Sequence, residues 1–223
     1  MKELKIMACS DLHGSKDALT KLAAVVDSGS FDLVIVCGDF TTFGTTDYTK
    51  EFLKRMKCRV LAVPGNCDVP DTVGVLEEAH ASVHNARVVV DGWDFYGFGG
   101  ALPSGSDMPF EIAEDLLERS LREVAVADGV MITHVPAYGM NDSTRFGNHG
   151  GSEGVLRVAQ EFKPVLALSG HIHESQGRAL NKDTIFVNPG PARHGCYASI
   201  VLGESADVEF FGSRPMRSRP ATY

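Results

Sequence analysis

The chain has 223 residues, 43% of them hydrophobic and 22% charged, with a formal net charge of -8. That profile is globular with ample material for a core, and the acidic balance argues against gripping duplex nucleic acid through a broad basic face. A small phosphorylated substrate stays open, because bound metals can supply local positive charge.

The start, MKELKI, runs directly into a strand over residues 4–10 (LKIMACS) and shows no signal-peptide pattern. Residues 17–27 then place Leu19, Leu22, Ala23 and Val26 at helical spacing, with Ser15 available as a cap. A second strand follows over 33–37 (LVIVC), a helix over 48–57 and a third strand over 59–63. Such alternation predicts an α/β chain with parallel pairing. Further on, Asp91-Gly92 sits between two β-rich runs and predicts a hairpin. A helix is expected over 111–127, then strands over 130–133 and 165–168. Short runs near Ile185, Ser199 and Val208 suggest antiparallel strands. No apolar run approaches the ~20 residues of a bilayer span. The five cysteines (Cys9, Cys37, Cys58, Cys67 and Cys196) form no CxxC, so neither a disulfide framework nor a zinc ribbon is indicated. These features point to a cytoplasmic protein without a membrane partner. One domain is expected over residues 1–212, followed by a loosely held tail over 213–223.

The informative pattern is where the polar residues fall. LKIMACS ends at Asp11-Leu12-His13, LVIVCG at Asp39, VLAVPG at Asn66, VMIT at His134 and VLALSG at His171-Ile172-His173. In open α/β sheets the carboxyl edge is where ligands bind. Asp11 with His13, and His171 with His173, stand two residues apart, and in extended backbone each pair points to one side. The mixture of imidazole, carboxylate and amide donors suits Mn, Fe, Zn or Ni better than Ca or Mg. Seven donors exceed one tetrahedral ion but suit two ions sharing a carboxylate. Taken singly, each has a plainer reading: Asp11 as a cap or turn residue, Gly38-Asp39 as a turn, His134 as a hydrogen-bonded core histidine.

In that order the motifs resemble the calcineurin-like metallophosphoesterase family: Asp11-Leu12-His13, Gly38-Asp39, Gly65-Asn66-Cys67-Asp68, Thr133-His134 and Gly170-His171-Ile172-His173. The resemblance implies a two-sheet β-sandwich flanked by helices in four layers, αββα. It implies two divalent transition-metal ions per chain, manganese favoured over iron, zinc or nickel. Asp11, His13 and His173 would bind one ion, Asn66, His134 and His171 the other, with Asp39 bridging; Asp39, Asn66 and His134 are thereby also catalytic. The implied reaction is phosphoester hydrolysis by in-line attack of a metal-bridging hydroxide on a small phosphorylated substrate. Cys67 departs from the pattern, since many members carry His there, and a neutral thiol cannot supply an imidazolium's charge. Small prokaryotic phosphodiesterases of the family carry the same Asn-Cys-Asp, so a diester substrate is favoured. The alternatives are a phosphomonoesterase, a nucleotide pyrophosphohydrolase, or a scaffold without catalysis. Asp68 would ordinarily orient the missing His, which leaves its role open. Cys67, Arg193 and His194 are candidates for substrate contact, as are Arg145 and His149 in the polar loop over 138–152.

Overall fold

A computed structural model of the chain describes residues 2–212, so the expected tail over 213–223 lies outside the described residues. The elements run β1 (Leu4–Cys9), α1 (Lys16–Gly29), β2 (Leu33–Val36), α2 (Asp47–Arg55), β3 (Arg59–Ala62), α3 (Thr72–Glu78), β4 (Ala86–Val90), β5 (Trp93–Phe98), α4 (Glu114–Val124) and β6 (Val130–Thr133). They continue with α5 (Glu153–Phe162), β7 (Leu166–Leu168), β8 (Gly177–Asn181), β9 (Thr184–Asn188), β10 (Tyr197–Leu202) and β11 (Ala206–Phe211).

Period-two alternation decides how they stack. In β1, Leu4, Ile6 and Ala8 join one apolar cluster while Met7 and Cys9 join another. In β6, Val130 and Ile132 join the first cluster and Met131 a third. Strands that are apolar on both faces must be covered on both. The chain meets that demand with two sheets, ordered β11-β10-β1-β2-β3 and β4-β5-β6-β7-β9-β8. Their facing sides make one core, which includes Ile6, Ile35 and Leu61 from the first sheet and Phe95, Ile132 and Leu168 from the second. Leu19 and Leu22 of α1, Phe52 of α2 and Leu76 of α3 cover the outside of the first sheet. Leu117 and Leu121 of α4, with Val155 and Val158 of α5, cover the outside of the second. The result is the four-layer αββα sandwich.

Strands β1, β2 and β3 are mutually parallel, as are β5, β6, β7 and β9, so each sheet has its own carboxyl edge. Ser15 caps α1 by accepting a hydrogen bond from the Ala18 N–H, and the Tyr48 hydroxyl donates to its carbonyl. The hairpin turn has positive φ at Asp91 (50°) and Gly92 (87°), as a two-residue primed turn requires.

The structure corrects several boundaries. β9 is antiparallel to β8 but parallel to β7, so it extends the parallel set and is not wholly an antiparallel addition. Helix α4 is shorter than 111–127, because Glu111 accepts hydrogen bonds from the backbone and hydroxyl of Ser104 and holds that segment out of the helix. α3 and α5 go beyond the sequence reading. α3 has only seven residues, including a glycine and two valines, too few to show a helical period. α5 does carry readable signals, a Ser152 cap and the stripe Val155, Val158, Ala159, but a glycine-rich loop obscures its start.

The strap between β5 and α4 lies against the β3 loop: Gly100 N–H donates to Pro64 O and Phe110 N–H to Asn66 O. His84 secures its base. Nδ1 accepts from Gly99 N–H at 2.9 Å, and the ring packs on Phe98 with centroids 4.3 Å apart. Burial lowers this imidazole from 6.5 to about 4. A lowered folded-state pKa means stability present above 6.5 and lost as the pH falls toward 4. The window is worth roughly 2–3 kcal/mol after solvent screening. Between pH 7 and 4 the wild type is therefore expected to lose about that much more unfolding free energy than His84→Gln, measured by urea denaturation of metal-free protein. Equal losses would show that His84 does not titrate with unfolding.

Candidate metal centre

The two carboxyl edges meet at one cavity, and the loops that leave them are laced by backbone hydrogen bonds. Asp11 N–H donates to Gly38 O, His13 N–H to Asp39 O, and Gly14 N–H to Phe40 O. On the other sheet, Gly170 N–H donates to His134 O. Bonds at the site also cross between the sheets. His134 Nδ1 donates to Cys37 O at 2.7 Å, and the His171 N–H donates to Asp11 Oδ2 at 3.2 Å.

These loops do not use extended backbone at the key positions. Asp11 (φ 57°), His13 (49°), Asp39 (55°) and His171 (65°) all adopt left-handed conformations. Non-glycine residues rarely do so, and such strain gathers at functional sites. The i, i+2 argument thus fails in detail. Asp11 and His13 still converge, with His13 Nε2 4.0 Å from Asp11 Oδ1. His171 and His173 part company: His171 faces His134 and Asn66, whereas His173 faces His13 and Asp11.

The seven residues expected as ligands nevertheless surround one site. Asp11, His13 and His173 form one group of ligand atoms, and Asp11, Asp39 and His134 another, all within 4.8 Å of one another. Asp39 sits between the halves. Its Oδ2 is 3.6 Å from His13 Nε2, and its Oδ1 is 3.6 Å from His134 Nε2. Asn66 Oδ1 lies 2.9 Å from His134 Nε2 and 3.1 Å from His171 Nδ1.

The donor chemistry fits cations. Because His134 gives its Nδ1 proton to a carbonyl, Nε2 is the ring atom left facing the Asn66 oxygen and Asp39, the position a cation would take. Asp11 Oδ1 is buried and accepts no hydrogen bond, although His173 Nε2 lies 3.2 Å away. Burial lowers His13 to about 4 and His171 to about 3, so both imidazoles are neutral at neutral pH, the form a metal needs. Burial would raise Asp11, but His173 foremost, with His134 and His13, holds its carboxyl below the usual range. Burial raises Asp39, with His134 opposing and the Asp11 charge adding to the rise. Such desolvated carboxylates are relieved by positive charge.

A model of the calcineurin-like phosphoesterases matches residues 4–175. The chain belongs to that family. Protein MJ1162 of Methanocaldococcus jannaschii is 30% identical over 209 residues, covering 88% of this phosphoesterase and 93% of its own length. The crystal structure of TT1561 from Thermus thermophilus has the same fold, with a TM-score of 0.74 at 18% identity over 96% of this chain and 100% of its own. A structure described as a novel archaeal phosphodiesterase superposes with a TM-score of 0.55 at 18% identity, over 93% of this chain and all of its own. Membership makes this a metal-dependent phosphoester hydrolase, with the Asp/His cluster as its candidate metal site.

The remaining candidates divide. Cys67 lies at the cavity wall, its thiol grouped with His13 and Asp39, and its N–H donates to Asp39 Oδ1 at 2.8 Å. Burial and the Asp39 charge push that thiol well above its ordinary value, so it is neutral. Arg193 is exposed at the rim, with its N–H donating to Asp11 O and its guanidinium 3.3 Å from His173 Nδ1. His194 follows on the same short turn and is exposed. Arg145 packs over Phe146, and His149 pairs with Asp142 at 2.8 Å; neither makes one of the contacts described among the ligand residues.

Three supporting features were not anticipated from sequence. Asn188 donates to Gly170 O and Ile172 O and accepts from Gly190 N–H, pinning the His171–His173 loop. Thr42 Oγ1 lies 2.8 Å from His13 Nδ1, which leaves His13 Nε2 to face the cavity. Gly65 has no room for a side chain, because a Cβ there would run into the Asp39 carboxylate. Asn188 stands in a readable Asn-Pro-Gly-Pro turn, but none of these partners could be assigned without the fold. Gly65→Ala is expected to cost about 1–3 kcal/mol by overpacking, read as a lowered melting temperature, and to displace Asp39. A variant with wild-type melting and wild-type metal uptake would show that the seat is not tight.

Proposed function

We propose that this phosphoesterase is a dinuclear enzyme that hydrolyses small phosphodiesters. The observation that carries the reading is Asp39, whose two oxygens face the two halves of a cluster of imidazole, carboxylate and amide donors. Asp11, His13 and His173 would hold one ion and Asn66, His134 and His171 the other, with Asp39 shared. Manganese is the favoured metal, with iron, zinc or nickel as alternatives. Bound ions of this kind lower the pKa of water and withdraw charge from phosphoryl oxygens. The chain's own residues do the rest. Thr42 and Cys37 orient His13 and His134 through their Nδ1 atoms, and Asn188 steadies the loop that carries His171 and His173. Arg193 stands where its guanidinium can reach a phosphoryl oxygen, with His194 next to it. A cavity of about 420 Å³ opens beside His13, walled by Lys16, Thr42, Thr45 and Tyr48 among others, and has room for one alcohol arm.

Cys67 supports diesters over monoesters. It offers a neutral thiol where many relatives hold an imidazole, and a diester has one fewer ionisable oxygen to neutralise. A monoesterase or pyrophosphohydrolase on the same centre is the competing reading, while a scaffold is disfavoured because every ligand position is filled. The partner is thus a small phosphorylated molecule and not duplex nucleic acid. The shared core of the two sheets supports reading residues 1–212 as one domain. Five free cysteines support a cytoplasmic setting, and among the described residues no helix is long and apolar enough to cross a membrane.

Protein purified without chelator is expected to carry two transition-metal ions per chain, or to recover them with added Mn. Near-zero metal and no rescue would sink the reading. Asp39→Ala and His134→Ala should each lower the rate by more than about 100-fold, since loss of a ligand exceeds the loss of a ligand's supporting partner, with circular dichroism unchanged. The wild type should cleave a bis-aryl phosphate faster than the aryl monoester, and Cys67→His should shift the ratio toward the monoester. A wild type that strongly prefers the monoester overturns the assignment of substrate class.

A further inference from the structure

Asp68 follows the Asn66 ligand by two residues and is fully buried beside the cavity. An acid at this point could orient a catalytic imidazole or move a proton, but this chain has Cys67 and not His as its neighbour. The contacts of its carboxylate exclude both roles. Oδ1 accepts from Thr41 N–H at 2.8 Å and from Thr41 Oγ1 at 3.2 Å. Oδ2 accepts from Gly65 N–H at 2.8 Å and from Phe40 N–H at 3.2 Å. A carboxylate has about four lone-pair sites, and four donors from the protein occupy them. Nothing is left to face an imidazole or a substrate.

Those donors lie on both sides of Asp39. Phe40 and Thr41 follow it directly, so their N–H groups fix the chain leaving its left-handed turn. Gly65 forms the floor against which the Asp39 carboxylate packs, and Cys67 N–H holds Asp39 Oδ1 at 2.8 Å. Asp68 therefore ties the loop after β2 to the loop after β3 at the point where Asp39 and Asn66 must keep their spacing. We propose that Asp68 is the positioning residue for Asp39 and Asn66, a backbone clamp that sets metal affinity and takes no part in proton transfer. The inference rests on the metal-centre reading above.

Asp68→Asn tests it, because an amide keeps two acceptor sites but turns N–H groups toward N–H donors. Chelator-treated wild type and variant would be titrated with Mn(II) and followed by the paramagnetic resonance signal of free Mn(II). The variant is expected to bind about 10–100-fold more weakly, the usual cost of losing a partner that supports ligands. Its activity should recover toward wild type at saturating Mn(II), and both limbs of its pH–rate profile should stay in place. Wild-type Mn(II) affinity in the variant, or the loss of one limb, overturns the clamp. If Asp68→Asn fails to fold, Thr41→Val decides. It removes one of the four bonds and should weaken Mn(II) binding several-fold at a nearly unchanged melting temperature, whereas unchanged binding overturns the proposal. A wild type that takes up no Mn(II) fails the metal-centre reading itself, a result distinct from either.

Discussion

A buried imidazole joins the two halves of this molecule. His134 leaves the second sheet, donates from Nδ1 to the carbonyl of Cys37 on the first, and turns Nε2 toward Asn66 and Asp39. The cavity lies where two separate parallel edges are held face to face, and that bond ties one edge to the other. The His171 N–H repeats the connection by donating to Asp11 Oδ2. Gly170 permits it, since a Cβ there would meet the Ser10 hydroxyl and the Asp11 carboxylate. The apolar core between the sheets supplies the driving force for stacking. These polar joints fix the register in which the edges meet.

The same packing creates the electrostatics. Burial strips water from Asp11 and Asp39, and it keeps His13 and His171 neutral at neutral pH. Burial also disfavours a charge on His134, yet Asp39 and Asp11 raise it, so the cavity draws positive charge toward its centre. Ring nitrogens and side-chain oxygens crowd together across gaps of 2.9–3.2 Å. An arrangement of that kind is costly to fold alone and is relieved by a cation, which couples metal binding to stability. The left-handed turns at Asp11, His13, Asp39 and His171 add backbone strain to that cost.

The third motif has a different division of labour from its neighbours. Asn66 turns its side chain toward His134 and His171, while Gly65, Cys67 and Asp68 shape the place where Asp39 sits. The thiol brings no charge to the cavity, whereas Arg193, whose backbone is tied to Asp11, places a cationic side chain at the rim. That loop returns from β9, which makes the far end of the chain part of the site.

The amino-acid sequence by itself picked out the candidate ligand set. Five apolar runs each end in Asp, Asn or His, and parallel strands must present their carboxyl ends together, so the seven residues were legible as one constellation. The four-layer αββα arrangement was legible through the family resemblance that those five motifs carry. Helix α3 escaped because seven residues do not show a period, and α5 because a glycine-rich loop obscured its start. Only the tertiary structure decided which residues share a side. His171 and His173 are two apart in the chain, yet they face different halves because the left-handed turn at His171 abolishes the extended periodicity. It also decided the partners of Asp68: its four donors come from residues 40, 41 and 65, and the first two belong to another loop, up to 28 positions away. Local residue order reports what a strand end can offer, but hydrogen bonds between loops depend on how the sheet brings those ends together.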